Sequence, residues 1–71
     1  MITITSVGFD NNNNIIVGMS NGKIIATPIK DYPNLSKGTQ NQINNYQIKG
    51  NGRWIHWEEL DEDISVETLL R

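Results

Sequence analysis

Apolar and hydroxyl-bearing residues alternate from Ile2 to Val7, which is the period-two signature of a strand with one buried face. Val7 and Phe9 continue the apolar set in the opposite register, so a bulge or twist is expected near Ser6. Asp10 to Asn14 interrupts the pattern with residues whose side chains bond their own backbone and tolerate left-handed geometry, and this stretch reads as a turn. Ile15 to Met19 is β-branched and apolar, a second strand. Ser20-Asn21-Gly22-Lys23 contains Asn-Gly, which predicts a two-residue type I′ hairpin with both central residues at positive φ. Lys23 to Thr27 is the returning strand, so the first part of the chain is an antiparallel meander.

Pro28 ends the third strand or marks an edge, because it has no N–H to give to a ladder. Asp31 to Leu35 turns the chain, with Tyr32 and Leu35 expected to plug one end of the core. Thr39 with Gln42 three residues on has the form of a capping box and predicts a short helix from Gln40 to about Asn45. Its interior is polar except for Ile43, so it should lie on the surface, held by Ile43 and Tyr46. Tyr46 to Lys49 alternates again, and Gly50-Asn51-Gly52 repeats the turn chemistry. In the next strand, Arg53 to Trp57, parity puts Arg53, Ile55 and Trp57 on one face and Trp54 and His56 on the other. One tryptophan is therefore expected in the core and the other partly exposed. Ser65 reads as the N-cap of a C-terminal helix, with Ile64 stapling to Leu69 and Val66, Leu69 and Leu70 as the docking stripe. The expected fold is α+β, a single domain over residues 1–71: a small antiparallel sheet, a three-stranded meander plus one or two short strands, with a short middle helix and a C-terminal helix.

A chain this short buries only about 60% of the surface that its unfolded form exposes, so a homodimer that completes the core is one expectation. With no cysteine, disulfides and thiolate metal sites are excluded, and a reducing, cytoplasmic setting fits. No signal-peptide pattern is seen, and the apolar runs fall far short of the roughly 20 residues that span a bilayer. The net charge of −2 conceals a division. Met1 to Trp57 carries Lys23, Lys30, Lys37, Lys49 and Arg53 against Asp10 and Asp31, whereas Glu58 to Arg71 sets six carboxylates against Arg71 alone. Thinly spread lysines and an acidic end argue against nucleic acid as the partner.

The chemistry is concentrated between Arg53 and Leu70, which holds both tryptophans, the one histidine and six of the eight acidic residues. Glu58, Glu59, Asp61, Glu62 and Asp63 are candidate ligands for a hard cation, but they lack the alternation and the central glycine of a calcium loop. Asp61 to Asp63 are better read as fixing a loop and favouring the next helix N-terminus, so no metal or cofactor is expected. His56 next to Asp61 or Glu59 is a candidate general base, yet no nucleophile elbow, second histidine or phosphate-cradling loop accompanies it. Trp54, Trp57 and Tyr46 form either an exposed aromatic patch flanked by acid or part of the core.

Trp54-Ile55-His56-Trp57, then Leu60-Asp61-Glu62-Asp63-Ile64-Ser65-Val66, then Leu69-Leu70, is similar to the closing signature of the bacterial domain-of-unknown-function family 2442. That signature commonly runs I-H-W-P, then L-D-E-D-I-S, then a leucine pair. The Asn21-Gly22 turn, Pro33, Leu35 and the Thr39-to-Tyr46 segment match in order, so the resemblance covers nearly the whole chain. Glu58 stands where the family usually has proline, and Glu67-Thr68 where a glycine is common. The resemblance implies a small α+β fold and, from relatives encoded beside toxin-like proteins, an antitoxin-like role. No helix-turn-helix is present to carry over. The functional expectation is a non-enzymatic partner-binding protein, regulatory or inhibitor-like, that meets a basic protein through Trp54, His56, Trp57, Glu58, Glu59, Asp61, Glu62 and Asp63. The alternatives are a module that sequesters a small metabolite or nucleotide at an oligomer interface, and a structural domain with no catalytic activity.

Overall fold

The alternating N-terminal run is a strand, β1 (Ile4–Phe9), in a computed structural model that describes residues 1–71. It pairs antiparallel with β2 (Asn14–Met19), which pairs with β3 (Ile24–Pro28), so the meander forms as the pattern predicts. The register slips between Ile4 and Ser6, placing the bulge where the apolar set changes face. The Asp10 carboxylate holds the first turn by accepting from the backbone N–H groups of Asn12 and Asn14, and Asn13 takes a φ of 61°. The second turn differs from the sequence expectation. Only Gly22 has positive φ, and Met19 both accepts from Gly22 N–H and donates to the Lys23 carbonyl. The loop is the three-residue form, because Asn21 uses its side chain to accept from Lys23 N–H rather than adopting left-handed backbone itself.

Pro33 to Ser36 is one helical turn, α1, and it brings Leu35 fully inside. Tyr32 closes the same end, with its hydroxyl 3.0 Å from Thr27 Oγ1. The second helix, α2 (Gln40–Asn44), has both halves of its capping box: Thr39 Oγ1 accepts from Gln42 N–H and Gln42 Oε1 accepts from Thr39 N–H. Ile43 is its one buried residue.

A second antiparallel sheet follows: β4 (Gln47–Lys49), β5 (Trp54–Trp57) and β6 (Glu62–Ser65). The acidic stretch is therefore only half loop. Glu58 to Asp61 turns, with Asp61 at φ 51°, and Glu62 to Ser65 becomes a strand opposite β5. Glu62 and Asp63 are thus residues of β6 and not of a loop leading into the last helix, α3 (Val66–Leu69), whose one first-turn acid is Glu67. Ser65 caps α3 as expected, accepting from Thr68 N–H, and Ile64 and Leu69 are both buried in the core. Leu70 departs from its expected place in the docking stripe: the helix stops at Leu69 and Leu70 is left exposed.

The two sheets share one core of Ile4, Ile15, Val17, Met19, Leu35, Ile55, Trp57, Ile64, Val66 and Leu69. Their junction is close. Ile4 N–H donates to the Gly52 carbonyl at 2.7 Å, and a Cβ on Gly52, whose φ is 89°, would stand 2.8 Å from Thr3 Cβ. Only glycine fits there. Tyr46 bridges the sheets from the other side, donating to the Val7 carbonyl at 3.1 Å and packing between Phe9 and Trp57.

Candidate functional site

The inner face of the second sheet is spent on the core: Ile55, Trp57 and Ile64 are all buried. Its outer face is set by register. Lys49, Trp54 and Ser65 form one cross-strand row, and Gln47, His56 and Asp63 form the next. Trp54 is 46% exposed, which is unusual for the largest side chain type in a chain with so little core to fill. Its indole lies over Gly50, where an added Cβ would come within 2.8 Å of Trp54 Cδ1. Gly50, Asn51 and Gly52 all have positive φ, and this left-handed turn lets the chain double back beneath the ring.

Beside Trp54, the His56 ring is engaged on both sides. Nδ1 bonds Asp63 Oδ1 across the strands, and Nε2 lies 3.4 Å from Glu58 Oε1. The Asp63 hydrogen bond is the largest cause holding the His56 pKa above 6.5; partial desolvation opposes it and Glu58 supports it. The sequence pairing of His56 with Asp61 or Glu59 is thus corrected. The β5–β6 register puts Asp63 opposite His56, while the intervening turn carries Glu59 and Asp61 elsewhere.

The remaining candidate residues divide by position. Trp57 is fully enclosed and donates from Nε1 to the Ile43 carbonyl at 2.8 Å, so its side chain belongs to the core and not to a partner surface. Tyr46 packs against it, so of the two readings left open for these aromatics the core holds for both, and only Trp54 remains at the surface. Glu59 accepts from Gln42 Nε2 at 3.0 Å and fastens the turn to α2. The Asp61 carbonyl accepts from Asn34 Nδ2 at 3.2 Å, tying the same turn to α1. Glu62 is half-buried opposite Trp57 at the end of the sheet. No group of three or more histidine, cysteine, aspartate or glutamate residues converges as a metal site.

The outer face thus joins Trp54, His56, Glu58 and Asp63 to three residues missed in the sequence, Gln47, Lys49 and Ser65. Strand parity across β4, β5 and β6 finds all three once β6 is recognised. Arg53 was also missed. It lies on the opposite parity and grips Glu67 with Nη2 at 2.7 and 3.0 Å, while its carbonyl accepts from Val66 N–H. It pins α3 to the start of β5.

No helix is long and apolar enough to cross a membrane. Residues 4–71 match the model of a family described as "Protein of unknown function (DUF2442)". No curated protein matches the chain. The crystal structure of a protein of unknown function from Rhodospirillum rubrum ATCC 11170 is similar at 28% identity and a TM-score of 0.83, over 99% of this chain and 86% of that one. The solution structure of an uncharacterized protein from Chromobacterium violaceum is similar at 25% identity and a TM-score of 0.79, over 96% of this chain and 63% of that one.

Proposed function

The chain belongs to the DUF2442 family, and from that premise we propose that it is a non-enzymatic partner-binding module whose second sheet receives a basic protein surface. One observation carries the reading: Trp54 is held half out of the fold over Gly50, in the row next to the His56–Asp63 pair, whose imidazole also faces the carboxylate of Glu58. An exposed indole on a rigid strand gives a large apolar contact at low entropic cost, and the neighbouring acids select a cationic partner. A regulatory role, antitoxin-like or inhibitor-like, and a cytoplasmic setting belong to the same proposal.

The test is capture of the co-encoded neighbouring protein by the full chain, compared with Trp54→Ala and with a charge-reversed Glu58→Lys, Glu59→Lys, Glu62→Lys variant. Both are expected to weaken capture, and the charge-reversed variant should also lose the salt sensitivity of the wild type. Unchanged capture by both folded variants defeats the proposal.

A second reading has its own observation. Two adjoining clefts of about 280 and 300 Å³ share Asn13 and Lys30, and no carboxylate lines either. Such a site suits a small anionic metabolite, in keeping with a sequestering module. The lining is more polar than most ligand pockets, which favours the first reading. A thermal-shift screen with nucleotides and small carboxylates separates the two, since a specific ligand raises the melting temperature by mass action.

A further inference from the structure

The edge of a sheet presents unpaired backbone donors and acceptors, and folded proteins guard such edges with charge, proline, bulges or short strands. The two sheets here have four edges, β1, β3, β4 and β6. β1 is bulged between Ile4 and Ser6, and its Ile4 N–H is already taken by Gly52. β4 is three residues long and bears Lys49. β6 carries Glu62 and Asp63. β3 is different: Ile24 to Thr27 is uncharged, its register with β2 is unbroken, and Ile24 is 74% exposed.

Which backbone groups of β3 are free follows from its ladder. Bonded and non-bonded residue pairs alternate along an antiparallel pair of strands. Met19 N–H donates to the Lys23 carbonyl at one end and Ile29 N–H to the Asn13 carbonyl at the other. The bonded pairs between them are Val17 with Ile25 and Ile15 with Thr27. Ile24 and Ala26 therefore turn their N–H and C=O groups outward. Pro28 holds the next outward position, where its missing N–H costs the fold nothing.

We propose that β3 pairs antiparallel with β3 of a second copy, about a two-fold axis at Ile25, so that Ile24 of each chain faces Ala26 of the other. Every outward N–H and C=O of Ile24 and Ala26 then finds its complement in the same residues of the copy. Moved along by one residue in each chain, Ala26 would face Ala26, and Ile24 would face Pro28, which has no N–H for the Ile24 carbonyl. Shifted by half that step, the outer face of one sheet would be matched to the inner face of the other. Charge also favours a copy over a charged stranger: the strand is uncharged, so two chains of net charge −2 meet here without opposing like charges. The joined sheets would carry Ile16, Ile24 and Ala26 of both copies on one outer face. The interface is small, so the dimer is weak, with dissociation in the micromolar range or above.

Sedimentation velocity on the full chain from about 10 μM to about 1 mM tests this, together with amide hydrogen exchange by NMR. The wild type should pass from monomer to dimer, and the Ile24 and Ala26 amides should gain protection as concentration rises. Ala26→Pro removes an outward N–H without breaking a bond to β2, and Ile24→Lys places charge at an exposed position. Each should weaken dimerisation by about tenfold or more while the far-ultraviolet circular dichroism of the dilute chain is unchanged. Trp54→Ala should leave dimerisation intact. If Ala26→Pro unfolds, Ile24→Lys decides alone. A wild type that stays monomeric throughout, a dimer that survives Ile24→Lys, or protection that grows on β4 or β6 and not on β3 overturns the proposal.

Discussion

Replacing Trp57 by phenylalanine takes one hydrogen bond and part of one ring from a fully enclosed position of the core. Trp57 is wholly buried and its Nε1 donates to the Ile43 carbonyl at 2.8 Å. Leaving that buried carbonyl without a donor costs about 1–3 kcal/mol. The space vacated by the smaller ring, roughly 40 Å³, adds about 1 kcal/mol if the site does not collapse. The expected loss is thus about 2–4 kcal/mol, against a total of roughly 4–11 kcal/mol for a chain of this length. In thermal unfolding followed by circular dichroism, that corresponds to a drop of about 10–25 °C. Trp54→Phe is the internal control. Its ring is half exposed and makes no hydrogen bond, so it should cost no more than about 0.5 kcal/mol. The same pair gives a second readout. With Trp57 as sole indole, emission should be blue-shifted and resist acrylamide, and with Trp54 alone it should be red-shifted and readily quenched. Equal stability losses, or a quenchable Trp57, would refute the assignment of Trp57 to the core and return it to the partner surface.

Gly52→Ala forces a Cβ to within 2.8 Å of Thr3 Cβ at a φ of 89°, so a loss of about 2–4 kcal/mol is expected in denaturant titration. Gly8→Ala meets no atom within 4 Å and should change stability little, so equal effects would count against the inter-sheet junction. Thr39→Ala removes one half of the capping box and should cost about 1 kcal/mol, with the loss in amide protection confined to α2 and its neighbours. For His56, the Asp63 bond raises the folded-state pKa above 6.5, so the imidazolium's contribution is full below that pH and fades as pH rises through the raised value. The stability difference between wild type and His56→Gln should accordingly be larger near about pH 5.5 than near about pH 8.5. A difference that stays constant between those two values would show that the pair is not coupled to protonation.

The meander and its bulge were legible because their signals are local. β-branched runs, a change of parity at Ser6 and amide-rich turns each act over a few residues. The capping box at Thr39 and the Ser65 cap were legible for the same reason. β6 was not, since Glu62 and Asp63 are poor strand formers and Ile64 is the only apolar residue in the segment. Its strand conformation comes from pairing with β5, a tertiary cause that no local window contains. Without β6, parity says that the tryptophans face opposite ways but not which side is the core, and the carboxylate opposite His56 cannot be identified. The inner face is fixed by Ile64 beside Ile55 and by the Ile43 carbonyl that receives Trp57, both outside the Arg53-to-Trp57 pentapeptide.

The acidic segment shows how structure and recognition share one stretch of chain. Glu59 and the Asp61 backbone hold the turn against α2 and α1, so changing Glu59 perturbs the fold as well as the surface. Glu58 and Asp63 differ, because their partner is His56 on the outer face itself. A cationic partner that approached Trp54 would compete with the imidazolium for the same carboxylates. Binding should therefore strengthen as pH rises and His56 loses its charge, the reverse of the stability trend predicted for the same pair. The dimer edge lies on the other sheet, so self-association leaves both Trp54 faces free. Two such faces on one dimer would raise the apparent affinity for a partner that presents two basic sites, with no new contact at either. Comparing wild type with Ile24→Lys on an immobilised monovalent partner and an immobilised bivalent one isolates that effect. Ile24→Lys should match wild type on the monovalent surface and dissociate faster from the bivalent one, and equal dissociation from both would separate the dimer from recognition.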